Sequence, residues 1–549
     1  MKTGKFLPAV ISFLLSAALI FSALPMAFAA SEYEETGATK LVFTSEGITA
    51  EKGDYTDYKI EGTALSIKGS GTYILSGECS NGSVTVKKSV TGVTLVLDGL
   101  TLTSEDTATI TCNKSSEVKI VAEQGTENTL TDSAYNNDDN YPDNENAENA
   151  VIKCKDGSNV IICGQGTINI NARGKNGIKS GATTETEGTA SLEIRDVTLN
   201  ITADVNDGIN AEATLNVKSG NINVSAADDG IHCDYTLNVG EDGTDGPTIK
   251  ITKCYEGLEA ADLTICSGDI EIHADDDGLN AANSDLTDYS FTMNLKGGKT
   301  VIYSTSGDGL DSNGTLTISG GTVIVWTAST ADNQPLDADG KITINGGTVF
   351  AAGGSAGMGV NLTATQPCII FGSQGNGGAP QGGGQPGGST PPSAPDGQTG
   401  TDENTPPSAP NDQNDGSKPE IPSDNKQSGG APGAGQNSFE TVSAGSTITI
   451  KDSSGNTVYT CKAEYDVNSI VYSSSELKAE STYTLYVNDT EKSTATAQTG
   501  DNIGQGGFNQ NCSCLCHRNG ILSIAWKIIL VICKIFNINK TCRCGIAHY

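Results

Sequence analysis

An all-β solenoid, built from short strands stacked in parallel, is the fold class that this sequence of 549 residues predicts. Three observations predict it. One short phrase keeps returning: NGIKS at 176–180, DGINA at 207–211, DGIHC at 229–233, EGLEA at 256–260, DGLNA at 277–281, DGLDS at 308–312 and QPLDA at 334–338. Successive central positions (Gly177, Gly208, Gly230, Gly257, Gly278, Gly309, Pro335) are 31, 22, 27, 21, 31 and 26 residues apart. A unit of roughly 21–22 residues with occasional inserted loops has the spacing of a solenoid coil. Most phrases are followed by two apolar-alternating pieces, such as TLNV at 214–217 before NINV at 221–224. Such strands bury an apolar face only by stacking coil on coil. The composition, with 66 Gly and 5% aromatics, suits a turn-rich solenoid better than a compact α/β domain.

Strand alternation sorts the phrases into columns. One inward column reads Ile178, Ile209, Ile231, Leu258, Leu279, Leu310 and Leu336. Two residues on, a small inward column reads Ser180, Ala211, Cys233, Ala260, Ala281, Ser312 and Ala338. Counting weaker repeats before Asn176, the expectation is a parallel β-helix of roughly ten coils.

The chain opens with Lys2 and Lys5, an apolar run from Phe6 to Phe21, and small residues ending at Ala30. That is the pattern of a secretory signal over residues 1–30, so export is expected. Residues 31–62, polar and rich in Glu and Thr, read as a lead-in or cap, and the β-helix domain spans 63–372. Within it the acidic insertion 133–149 reads as a loop. Residues 373–437 are rich in Gly, Pro and Ser and read as a disordered linker. Period-2 pieces return over 438–490, around the turn DSSG, as a small β unit.

The tail, 491–549, is Cys-rich. Lys527 and Lys534 are seven residues apart in an apolar run, which suits an interfacial amphipathic helix and peripheral membrane or envelope contact rather than a spanning one. Cys512, Cys514, Cys516, His517, Cys542 and Cys544 form a candidate Zn2+ set, with paired or redox-labile thiols as the plainer alternative. Upstream, Cys112, Cys154, Cys163 and Cys233 fall at inward positions, where buried thiols behave as small hydrophobes; disulfides are the alternative.

Acidic residues outnumber basic ones, 66 to 33. That excludes a nucleic-acid partner, which demands a basic face. Acids concentrate at the returning phrase: Asp207, Asp228, Asp229, Glu256, Glu259, Asp276, Asp277, Asp308 and Asp311. Coils stack about 4.8 Å apart. Carboxylates that close repel by about 1 kcal/mol per pair even in bulk water. The column must protonate in part, splay into solvent or hold cations, and oxygen-only ligands are those of Ca2+. The plainer alternative is Asp and Asn chosen for left-handed turn geometry.

Together VTLVLDGLTLTS at 93–104, AEQGTENTLTD, GQGTINI and the DGI/DGL series followed by SG-x-I-x-I resemble a family of secreted clostridial carbohydrate-binding proteins. Their domain is a polysaccharide-lyase-like right-handed β-helix that holds calcium. The resemblance covers most of 41–372 and resumes over 438–490. It implies a right-handed parallel β-helix, bound Ca2+ and a plant cell-wall polysaccharide of the cellulose or pectin type as partner. Asp207, Asp229, Asp277 and Asp308 match the family's repeated Asp before Gly. Glu256 replaces it in one coil, and the Pro335 coil lacks it.

The rival class is a calcium-dependent pectate lyase, which needs a base on the sugar C5 proton. Lys179, in the outward column with Asn210, is the candidate, with simple pairing to neighbouring carboxylates as the plainer alternative. A purely structural or adhesive surface protein is the third reading. For sugar contact the candidates are Trp326, Tyr303 and His273 at coil corners, with corner packing as the alternative. The expected state is a monomer.

Overall fold

The structure is a computed structural model that describes residues 32–51, 53–181, 191–328, 333–354, 362–372 and 440–503. The expected signal segment, the Gly/Pro-rich linker and the tail cysteines lie outside the described residues. Among the described residues every regular element is a β-strand, and no helix is long and apolar enough to cross a membrane. The chain divides into two units. The first runs through Phe291 and includes Lys296–Val301; the second holds Thr292–Leu295 and continues from Ile302.

In the first unit the strands form three parallel stacks. In one, Glu127–Thr131, Thr167–Ala172, Thr198–Ala203, Asn221–Ala226, Thr248–Cys254 and Asp269–Ala274 pair in turn, each parallel to the next. A second contains Asn159–Gly164, Ser191–Ile194 and Thr214–Val217. The third carries the returning phrase and sets Ile178 against Ile209, Ile209 against Ile231, Ile231 against Leu258 and Leu258 against Leu279. All five side chains are fully buried. Beside them Cys112 pairs with Cys154, Cys154 with Ser180, Ser180 with Ala211 and Ala211 with Cys233. On the outer faces, Asn169, Asn200 and Asn223 join side-chain amides at 2.8 and 2.9 Å, so even exposed positions repeat from strand to strand.

The glycine of the phrase is required by close approach, not by turn geometry. None of Gly177, Gly208, Gly230 and Gly257 has a positive φ. A Cβ at Gly208 would lie 2.6 Å from the Gly230 carbonyl oxygen, and one at Gly230 would lie 2.8 Å from that of Gly257. Backbone bonds draw the phrases together: Gly208 N–H donates to Asp229 O at 2.9 Å, Gly230 N–H to Glu256 O at 2.9 Å and Gly257 N–H to Asp277 O at 2.9 Å. Acidic side chains one residue before each glycine are therefore held in line. Asp207 and Asp229 have no positive φ either, so they do not adopt the left-handed turn geometry that was the plainer alternative for the Asp residues of the phrase.

The segment read as a lead-in contains paired strands. Thr39–Thr44 is antiparallel to Gly47–Ala50 and parallel to Gly71–Cys79. Ahead of it, Arg195 donates to Glu32 at 2.9 Å, and Tyr33 packs on a buried outer cluster of Ala38, Ile74, Val96, Val121 and Cys163. Cys163 is thus buried on the outer side, under the N-terminal segment; its neighbours Val160 and Ile162 are the inward pair.

The second unit also begins with parallel pairs, Thr292–Leu295 with Thr315–Ile318 and Thr322–Thr327 with Thr348–Gly353. Ser469–Ser473 is antiparallel to both Thr348–Gly353 and Leu362–Gly372. A separate four-stranded sheet follows the order Thr457–Lys462, Thr447–Asp452, Thr482–Val487, Thr490–Thr496. Trp326, Phe350, Ile369, Phe371, Ile448 and Leu485 share one buried cluster, so this sheet packs on the preceding strands of its unit. Strands run to Ile503, beyond residue 490, because Gln498–Ile503 pairs with Leu362–Gly372. That last strand is almost wholly exposed, so no apolar alternation marks it in the sequence.

Candidate cation and carbohydrate site

The returning phrase builds the site in the first unit. Asp207 is 3% exposed; it accepts from Asn210 Nδ2 at 2.6 Å and from the Asp229 backbone N–H at 3.2 Å. Asp229 is 7% exposed and accepts the Glu256 backbone N–H at 3.3 Å. Glu256 accepts from Asn280 Nδ2 at 2.8 Å. Asp207 and Asp229 thus each cap the backbone of the next phrase, while Glu256 is held by a side-chain amide.

Burial first, then the charge of Asp229, pushes Asp207 up to about 7. Burial, then Glu259 and Asp229, pushes Glu256 up to about 9. Burial and Asp229 raise Asp228 as well. The line binds protons avidly when nothing else neutralises it.

Alongside runs the outward ladder Asn210, His232, Glu259, Asn280, in direct register. His232 Nδ1 lies 3.1 Å from Asp229 Oδ2 and 2.5 Å from Glu259 Oε2, and its Nε2 lies 2.9 Å from Asp234 Oδ1. Burial opposes charge on the imidazole. The bonds to Asp229, Asp234 and Glu259 outweigh it and raise its pKa. At this level an imidazolium takes the place of a counter-ion.

At either end of the ladder the Oδ1 atoms of Asn210 and Asn280 are buried with no hydrogen-bond donor. Buried acceptors are ordinarily satisfied. Two such oxygens beside Asp207 and Glu256 fit Ca2+, which takes carboxylate and amide oxygens. Asp276 and Asp277 flank the same line: Asp276 accepts the Tyr255 hydroxyl, and the charge of Asp277 acts on Glu256.

In the second unit Asp308, Asp311 and Asp337 place carboxylate oxygens within 4.8 Å of one another. Asp308 accepts the Gln334 backbone N–H at 2.5 Å, and burial raises Asp337. Asp337 escaped the sequence reading. It stands two residues past Pro335, the offset that Asp311 has from Gly309, and that offset was the available signal.

The sugar-contact expectation for Trp326 is overturned. Trp326 is 3% exposed and packs on Phe350 with ring centroids 5.1 Å apart. Tyr303 is half-buried and packs against the same cluster. Both serve the apolar core of the second unit. His273 is 45% exposed and lies 3.2 Å from Glu271. Lys179 is held by Glu212 at 3.1 Å and stands opposite Lys153. Burial, then the charge of Lys179, lowers the pKa of Lys153, a residue the sequence reading passed over.

A parallel-stacked all-β scaffold holds these polar groups in line along one face of the first unit. The chain belongs to the family of carbohydrate-binding domain-containing proteins, whose family model matches residues 61–357. A carbohydrate-binding domain-containing protein of Acetivibrio thermocellus is 31% identical over 141 residues, covering 25% of this chain and 47% of that protein. The chain thus spans about half the length of this relative. A solved structure, described as the polysaccharide lyase-like protein from C. thermocellum in a gadolinium derivative, covers 51% of this chain and 97% of its own at 23% identity and a TM-score of 0.34.

Proposed function

We propose that this chain is a secreted, calcium-dependent module that binds plant cell-wall polysaccharide of the cellulose or pectin type without cleaving it. In this reading the strands wind as a right-handed parallel β-helix of about ten coils. The observation that carries it is the line of Asp207, Asp229 and Glu256 beside the donor-less oxygens of Asn210 and Asn280. Those residues would hold Ca2+, which when bound supplies positive charge for uronate carboxylates or sugar hydroxyls. The triad of Asp308, Asp311 and Asp337 is a second cation set. The N-terminal signal-like segment supports export.

Adsorption to insoluble cellulose and to immobilised polygalacturonate, with Ca2+ and with EDTA, tests the reading. Depletion from solution by either polymer in Ca2+ is expected, and no depletion by both would end it. One observation favours pectate lyase as the second reading: a half-buried lysine, Lys153, has a lowered pKa on the outward ladder that continues through Lys179 to Asn210. Release of unsaturated uronate from polygalacturonate, lost in Lys153→Met, would select that reading.

A further inference from the structure

With Trp326 and Tyr303 committed to the core, the exposed aromatic surface lies elsewhere. The large exposed apolar side chains among the described residues are Tyr135, Tyr141, Val205 and Tyr255. Two of them form a pair: the rings of Tyr135 and Tyr141, 58% and 36% exposed, have centroids 4.5 Å apart and planes at 44°. Both stand on the insertion 133–149, whose sequence reads only as an acidic loop.

That loop is built rather than loose. Asn136, fully buried, donates to Asp132 Oδ2 at 2.9 Å and Ala150 O at 2.8 Å, and accepts the Glu148 N–H at 2.7 Å. Asn137, 2% exposed, donates to Gly174 O at 2.8 Å, and its carbonyl takes the Tyr141 N–H at 2.9 Å. Asn144 joins the two tyrosines: its Nδ2 donates to Tyr135 O at 2.6 Å, and its backbone N–H to Tyr141 O at 2.9 Å. Buried amides therefore order the backbone that carries two rings facing water. Rigid tyrosines give large amphipathic contact area at small entropic cost, and pre-ordering lowers the cost of binding.

We propose that Tyr135 and Tyr141 form a contact platform for a neutral glycan chain. The proposal rests on the carbohydrate-binding reading and names a site and a sugar class for it. Charge decides the class. Between Ser133 and Asn149 stand Asp138, Asp139, Asp143, Glu145 and Glu148 with no basic residue among them; Lys175 pairs with Asp139 and Lys155 with Glu148, and the other three carboxylates keep the loop acidic. A polyuronate is repelled from such a loop, whereas a neutral chain offers hydroxyls for these carboxylates to accept from and apolar ring faces for the tyrosines.

The test uses the full chain in Ca2+ with two polymers, insoluble cellulose and polygalacturonate. Tyr135→Ala and Tyr141→Ala are expected to weaken cellulose adsorption by about tenfold each. Tyr→Phe at either position retains it, and adsorption to polygalacturonate is unchanged. Cellulose adsorption equal to wild type, or equal losses on both polymers with an unchanged melting temperature, overturns the platform and leaves the carbohydrate-binding reading standing. A wild-type chain that adsorbs to neither polymer overturns both.

Nitration of the wild-type chain by tetranitromethane keeps the test open should a variant fold poorly. Cellohexaose should protect Tyr135 and Tyr141, the two exposed rings of the insertion. Equal nitration with and without the sugar overturns the proposal.

Discussion

His232 and Glu259 stand opposite each other on neighbouring parallel strands, with Nδ1 and Oε2 2.5 Å apart. The imidazole also meets Asp229 and Asp234, so three carboxylates share one ring. Removing the ring leaves them facing each other with no counter-ion. His232→Asn, which continues the side-chain type of Asn210, should therefore lower stability in EDTA by about 3 kcal/mol or more, as unpaired buried charges do. Added Ca2+ should restore a larger share of the melting temperature in the variant than in wild type. A variant that melts with wild type in EDTA shows that the ring is not a counter-ion.

The pH dependence follows from the acids beside it. Asp207 rises from 3.8 to about 7 and Glu256 from 4.5 to about 9 on folding. Acids with raised folded values bind more protons folded than unfolded. The stability they contribute is complete below about pH 4 and is lost as pH climbs through about 7 and then about 9. His232 adds to the same slope, because its raised value favours the folded state below 6.5 and that advantage fades at higher pH. In EDTA the melting temperature should fall from pH 4.5 to pH 9. The increment from Ca2+ should grow over the same range, since the cation binds the ionised line. Asp207→Asn with Glu256→Gln should flatten both curves. An increment from Ca2+ that is constant with pH would remove this line as its origin.

Trp326 tests the assignment of the aromatic residues. Its indole is buried against Phe350 beside strands contributed from beyond residue 440. Trp326→Ala should cost about 3–5 kcal/mol, the range for emptying a large aromatic site. Adsorption of the folded protein to polysaccharide should stay at the wild-type level. A folded variant that loses adsorption without losing stability would return Trp326 to the sugar-contact role.

How much of this was readable depended on the range of the interaction. The column from Ile178 to Leu279 was legible because alternation within a strand and spacing between phrases report the same stacking. The acids before each glycine were legible for the same reason. Trp326 was not: a ring that ends a strand looks exposed until Tyr459 and Tyr472, more than a hundred residues on, are packed near Phe350. Cys163 was misassigned for the reverse reason, since the N-terminal segment covers an outer face that alternation alone leaves in solvent. Tyr135 and Tyr141 lay in a segment whose composition says only that it is a loop. Its order comes from buried asparagines, and no periodicity announces those.

Gly230 connects the fold to the site, and its replacement tests both. Its φ is not positive, so alanine has no backbone objection there. The objection comes from the stack, because the new Cβ would lie 2.5 Å from Ile251 Cδ1 and 2.8 Å from Gly257 O. A methyl group can be admitted only by separating the phrase at Asp229 from the phrase at Glu256. Forced overpacking of this kind costs about 1–3 kcal/mol. The proper comparison is Gly243, which has φ +78° with open space around its Cβ position. Gly243→Ala therefore meets only the left-handed strain, about 1–2 kcal/mol, and leaves the acidic line untouched. Gly230→Ala should lower the urea midpoint and also shrink the gain in melting temperature from Ca2+, because the carboxylates before and after it move apart. Gly243→Ala should lower the midpoint alone. If the two variants respond to Ca2+ alike, the stacked glycines do not set the spacing of the acids, and the link from repeat to site is lost.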